Sequence, residues 1–87
     1  MEKIKVTISN KSGLHARPAS LLTTTASKYN SEIKILKDNK EYNGKSILGI
    51  LSMGTAYGDK IEIIAEGEDE KVAIENISNL VKNNFGE

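Results

Sequence analysis

The pattern of apolar residues predicts an α+β fold, an open-faced β-sandwich in which a four-stranded antiparallel sheet is covered on one face by three helices. Three observations carry that expectation. Short stretches of period two recur at 3–8, 32–36, 40–42 and 60–66, as in strands with one wet face. Segments 16–27, 46–54 and 68–82 show helical spacing or helix-end chemistry instead. The resulting order, β-α-β-β-α-β-α, leaves one apolar sheet face that three helices can bury.

Ile4, Val6 and Ile8 alternate with Lys3, Lys5 and Thr7, and Asn10 to Gly13 forms a polar loop ending in glycine. Ala19, Leu22, Ala26 and Tyr29 then recur at spacings of four, four and three, which predicts a helix from Ala16 to about Ser27. Ile33 and Ile35 share one side of a strand at Glu32–Leu36. Asp38 and Asn39 supply turn chemistry for a hairpin into Lys40–Tyr42. Asn43 and Gly44 punctuate the chain, and Gly44 before Lys45 is expected to loosen that loop. Ser46 as N-cap and Gly54 as terminator bound a helix of about two turns. After a turn at Gly58 and Asp59, Ile61, Ile63 and Ala65 alternate along Lys60–Glu66. The last helix carries Glu68, Asp69 and Glu70 near its start and Lys82 near its end, as the macrodipole favours. Ala73 or Ile74, Ile77, and Leu80 or Val81 supply its buried stripe.

With 87 residues the chain is sized for one domain, 1–87. It has no cysteine and one histidine, which excludes disulfides and thiolate metal sites, so no metal or cofactor is expected. No apolar run approaches the roughly 20 residues of a membrane span, and no signal-like segment opens the sequence. A soluble, cytoplasmic monomer without membrane insertion is the expectation. Formal net charge is zero, which lacks the basic footprint of a nucleic-acid binder. Its distribution is uneven: nine Lys/Arg against four Asp/Glu in residues 1–45, and three against eight in 46–87. Clustered near Arg17, the first half's lysines would favour an anionic ligand or an acidic partner.

The stretch SGLHARPAS, residues 12–20, gathers the only histidine, arginine and proline of the chain. Proline belongs in a helix only within its first turn, so Gly13 and Pro18 place the helix start at His15 and Ala16. Unpaired amides and the positive end of the macrodipole make such a start an anion site. Arg17 adds a planar, permanent charge that grips phosphate at two points. Both positive features disfavour an imidazolium, which leaves a ring nitrogen free to attack a phosphoryl donor. On the residues alone a second reading also stands, in which His15 is a helix cap or a solvated side chain and the domain a non-catalytic binding module. No carboxylate neighbours His15 in sequence, so a nucleophilic triad finds little support. The segment SILGILSMG holds five large apolar residues within seven positions. A two-turn helix cannot bury all of them on one face: Ile50 and Met53 fit the core, and the rest are candidates for a docking patch.

GLHARPAS resembles the active-site signature of the HPr family, the histidine-containing phosphocarriers of the phosphoenolpyruvate-dependent sugar phosphotransferase system. GKSILGILSMG is similar to that family's regulatory serine segment in its Gram-positive form, and chain length and element order also fit. The resemblance implies that His15 is phosphorylated on Nδ1, that Arg17 assists, and that the backbone amides of Ala16 and Arg17 hold the phosphate. It implies a carrier rather than an enzyme, taking phosphate from enzyme I and passing it to enzyme IIA domains. Ser46 would be the target of an ATP-dependent HPr kinase/phosphorylase. The added charge would disfavour enzyme I and favour a catabolite-control transcription factor, making the chain a corepressor in carbon catabolite repression. Ile47, Leu48 and Leu51 lie where the family's partners dock. Leu48 and Tyr57 depart from the methionine and glutamine common at those places in relatives. His15 itself separates the chain from catabolite-only paralogues that lack the histidine. A role in a nitrogen-related or dihydroxyacetone-kinase relay is the alternative that the identity of the donor would decide.

Overall fold

Alternating apolar residues along four segments form one antiparallel sheet in the computed structural model, which describes every residue from Met1 to Glu87. The strands are β1 (Glu2–Thr7), β2 (Glu32–Lys37), β3 (Lys40–Asn43) and β4 (Lys60–Glu66), arranged β1-β4-β2-β3 across the sheet. Three helices complete the expected order: α1 (Ala16–Ala26), α2 (Ile47–Ser52) and α3 (Glu70–Lys82).

Register explains why one sheet face is apolar. Ile4 sits opposite Ile63, Ile63 opposite Ile35, and Ile35 opposite Tyr42, so one row crosses all four strands. Leu22 and Ala26 of α1, Ile50 of α2, and Ala73, Ile77 and Val81 of α3 pack onto this face and are almost fully buried. The other face carries Lys5 opposite Glu62 and Leu36 opposite Glu41, a charged surface left open to water. Asp38 and Asn39 both have positive φ, as the tight hairpin turn joining β2 to β3 requires.

Four details depart from the expectations. Ile8 lies beyond the end of β1 yet is fully buried, since its amide bonds to Asp59 O and its carbonyl accepts from Gly58 N. Gly44 does not loosen its loop. Its amide donates to Ile33 O at 2.8 Å, and a Cβ there would lie 2.6 Å from Ile33 Cγ2, so this glycine is a close-packing residue. Asp69 stands at the N-cap of α3 with no side-chain bond to that helix; its carboxylate accepts from Ser31 and from the Asn30 amide instead. Beyond α3, residues Asn84–Gly86 make a 3-10 turn that no periodicity foretold, with Asn84 and Phe85 at φ +55° and +56°. Phe85 is 3% exposed, and burying a phenyl ring gains about 1.5–3 kcal/mol, which offsets much of the roughly 2–4 that two left-handed residues cost. This turn brings the chain back over the loop before α1.

Candidate functional site

The site begins with a seat. Gly13 has φ +66°, and a Cβ on it would sit 2.6 Å from Thr55 O and 2.8 Å from Ala56 Cα. Only glycine allows the loop that close. Leu14, buried, donates its amide to Thr55 O at 3.0 Å, and Asn10 Nδ2 donates to Gly13 O at 2.7 Å. The loop before α1 is thus pinned from both sides, and His15 follows as N-cap with extended backbone, φ −79° and ψ −167°.

Pro18, Ala19, Leu22 and Ala26 form the buried face of α1, which leaves His15, Ala16 and Arg17 exposed. No side chain caps this helix, and the amides of Ala16 and Arg17 have no acceptor within the chain. Pro18 has no amide to offer, and Ala19 already donates to His15 O at 2.9 Å. Two adjacent donors and the positive end of an 11-residue helix therefore remain open beside the imidazole. Arg17 makes no ion pair, so its guanidinium is also uncommitted.

A carboxylate joins the site that sequence proximity did not foretell. Glu87 Oε2 lies 3.4 Å from His15 Nε2, while Glu87 Oε1 accepts from Asn10 Nδ2 at the same distance. A proton on Nε2 facing that carboxylate leaves the lone pair on Nδ1. Glu87 reaches His15 because Phe85 anchors the preceding turn in the core and because Ser9 Oγ donates to Asn84 Oδ1. A polar recess of about 300 Å³ lined by Ser9, Asn10, Lys11, Asn84 and Glu87 adjoins the loop. The largest recess, about 520 Å³, opens on the sheet's wet face near Lys5, Leu36 and Glu62 rather than at His15. No cluster of three or more His, Asp or Glu side chains is placed to hold a metal ion, and no helix is long and apolar enough to cross a membrane.

Ser46 begins α2 with the geometry of a serine cap: its Oγ accepts from Gly49 N at 3.0 Å. Of the apolar residues that follow, Ile50 and Met53 enter the core, whereas Ile47 (41% exposed), Leu48 (77%) and Leu51 (39%) face solvent. α2 packs against α1, so this apolar patch and the His15 helix belong to one flank of the molecule. Tyr57, also exposed, rises from the loop whose backbone seats Gly13.

Comparison with known proteins places these features in a family. Residues 2–83 match the family model described as PTS HPr component phosphorylation site. The chain is 40% identical over 87 residues to the phosphocarrier protein HPr of Neisseria meningitidis, covering 100% of this chain and 98% of that protein. It is 39% identical over 82 residues to the HPr-like protein Crh of Bacillus subtilis, covering 94% of this chain and 96% of Crh. A solved HPr from Thermoanaerobacter tengcongensis superposes with a TM-score of 0.97 at 48% identity, covering 100% of this chain and 98% of that one. An HPr from the same organism has also been solved as a dimer, with a TM-score of 0.81 at 48% identity and all of both chains covered. A family match that spans nearly every element, on a fold shared with a solved member, makes this chain a member of the HPr phosphocarrier family of the phosphotransferase system.

Proposed function

We propose that residues 1–87 act as one HPr-like domain that accepts a phosphoryl group from enzyme I on Nδ1 of His15 and passes it to sugar-specific enzyme IIA domains. The observation that carries this reading is the pair of unpartnered amides, Ala16 and Arg17, beside a histidine held in extended backbone at the start of α1. In the step, the Nδ1 lone pair forms the N–P bond as the bond from phosphorus to the donor breaks. Charge on the incoming phosphoryl oxygens meets the two amides, the helix end and Arg17. The ring keeps its Nε2 proton, and the positive charge that builds on it faces Glu87. Transfer onward reverses these movements; the chain is itself chemically changed within each cycle, as one reactant in each transfer, and is a carrier rather than an enzyme.

Ile47, Leu48 and Leu51 are proposed as the docking face for both partners, supported by their exposure on the flank that α1 and α2 share. Ser46 is proposed as the site at which HPr kinase/phosphorylase adds a second phosphate. A dianion at a helix start is tolerated, so the domain stays folded while its docking face gains charge. That charge repels enzyme I and recruits a catabolite-control transcription factor, with no direct contact between this chain and DNA. The chain is proposed to work in the cytoplasm as a monomer.

The test mixes the protein with enzyme I and phosphoenolpyruvate. Acid-labile label is expected on the wild type and none on His15→Ala; label that survives the substitution sinks the assignment. Ser46→Asp should accept phosphate from enzyme I more slowly, and an unchanged rate removes the electrostatic switch. Light scattering during gel filtration checks the monomer, against the dimer solved for the Thermoanaerobacter relative.

A further inference from the structure

An ion pair that the carrier chemistry does not use lies under the loop that seats His15. Lys37, the last residue of β2, has a side chain only 13% exposed. Its Nζ donates to Met53 O at 3.1 Å and lies 3.2 Å from Asp59 Oδ2. Met53 is the C-cap of α2, where a cation offsets carbonyls left without helical partners. Asp59 Oδ2 also accepts from Ala56 N at 2.8 Å. Ala56 and Thr55 are the backbone against which Gly13 packs, and Thr55 O holds the amide of Leu14, the residue before His15. One ammonium therefore binds the end of the docking helix and the seat of the active loop to the same strand. The lysine end is shielded while the Asp59 carboxylate is 38% exposed, so the contact is screened less than a fully exposed surface pair.

We propose that Lys37 is a positioning residue that holds the α2 docking face and the His15 loop in one fixed relation, so that a protein donor gripping the first finds the second in line. The inference rests on the carrier reading above. A donor that docks on α2 presents its phosphorus at a set distance from that helix. A shift of the His15 loop by about 1 Å from a mutation far from the chemistry then costs up to about 100-fold in rate. A small donor needs no docking face and is indifferent to the relation.

The experiment compares wild type, Lys37→Met and Lys37→Arg with two donors: enzyme I with phosphoenolpyruvate, and phosphoramidate alone. With enzyme I, kcat is expected to fall roughly 10-fold in Lys37→Met, with KM within about two-fold. Lys37→Arg should recover most of the loss, since a guanidinium still reaches both oxygens. The phosphoramidate rate should not change in either variant. An unchanged kcat in Lys37→Met, an equal loss with phosphoramidate, or failure of arginine to rescue each overturns the proposal. Asp59→Asn breaks the same pair from its other side and carries the test if Lys37→Met does not fold. A wild type that phosphoramidate labels and enzyme I does not overturns the carrier reading itself, an outcome distinct from the failure of Lys37 to matter.

Discussion

The starts of α1 and α2 meet the same backbone demand in opposite ways, and each solution suits a different one of the two proposed phosphates. Ser46 closes its own helix, its Oγ taking the Gly49 amide at 3.0 Å. His15 closes nothing: Ala16 and Arg17 are left with open amides, and Pro18 removes the third donor that a conventional cap would satisfy. In the proposed cycle the open start receives a group that arrives and leaves. The closed start is already stable, so a modification there alters the surface without being needed to hold the helix. Unsatisfied donors at α1 are thus a cost in stability that serves the proposed transfer.

The sharpest way to break this contrast is to put a capping side chain at the start of α1. His15→Ser should abolish all acid-labile label; because Pro18 offers no amide, the serine can accept only from Arg17 N, and stability should rise by about 0.5 kcal/mol, read from urea unfolding. A variant that loses the label but is also destabilised shows that the histidine supports the helix after all. Gly13→Ala attacks the seat instead: a left-handed Ala costs about 1–2 kcal/mol and the overlap with Thr55 and Ala56 adds about 1–3. A loss of about 2–5 kcal/mol is expected by the same unfolding measurement, and wild-type stability would mean the loop is not held by that contact. Ser46→Ala removes a single cap bond, about 1 kcal/mol, and should leave labelling by phosphoramidate untouched. If stability stays flat, the closure of α2 comes from packing rather than from the serine.

A third helix start extends the series with the smallest effect near neutral pH. At α3 the capping position holds Asp69, whose carboxyl is kept below its ordinary range by the Ser31 hydroxyl first and then by the Asn30 amide. Asp59 is lowered likewise, by the Ala56 amide first and then by Lys37. A depressed folded value means that this stabilisation is fully present above the unfolded carboxylate pKa of about 4 and is lost as pH falls through the depressed values. Thermal midpoints should therefore hold steady down to about pH 5 and drop below about 4, and Asp69→Asn should flatten that acid slope. An acid slope unaltered by the substitution assigns the loss to other carboxylates.

Much of this arrangement was legible before any coordinates, because its cues are local. Lys60–Glu66 emerged with its predicted limits, since alternation over seven residues admits one register. Pro18 and Gly13 marked the start of α1, and Ser46 marked that of α2, because each residue type is suited to its place by backbone chemistry alone. What was hidden depends on chain segments far apart. Glu87 reaches His15 only through the burial of Phe85 in a left-handed turn, and nothing in the spacing of residues 83–87 encodes that reversal. Nothing local distinguishes Lys37 from its neighbouring lysines, since both of its partners, Met53 and Asp59, lie well downstream. Gly44 was misjudged for a related reason, as the side chain it accommodates belongs to another strand.

The order β1-β4-β2-β3 has a consequence for when the chain becomes competent. Glu2 pairs with Ala65 and Thr7 with Lys60, so the first strand to leave the ribosome waits for the last strand before it can be held. The His15 loop waits as well, since Gly13 and Leu14 rest on Thr55 and Ala56. Non-local pairings of this kind form late in folding. A nascent chain halted before Thr55 displays SGLHARPAS in full yet lacks the backbone that seats it, so the signature alone is not yet the proposed phosphate acceptor.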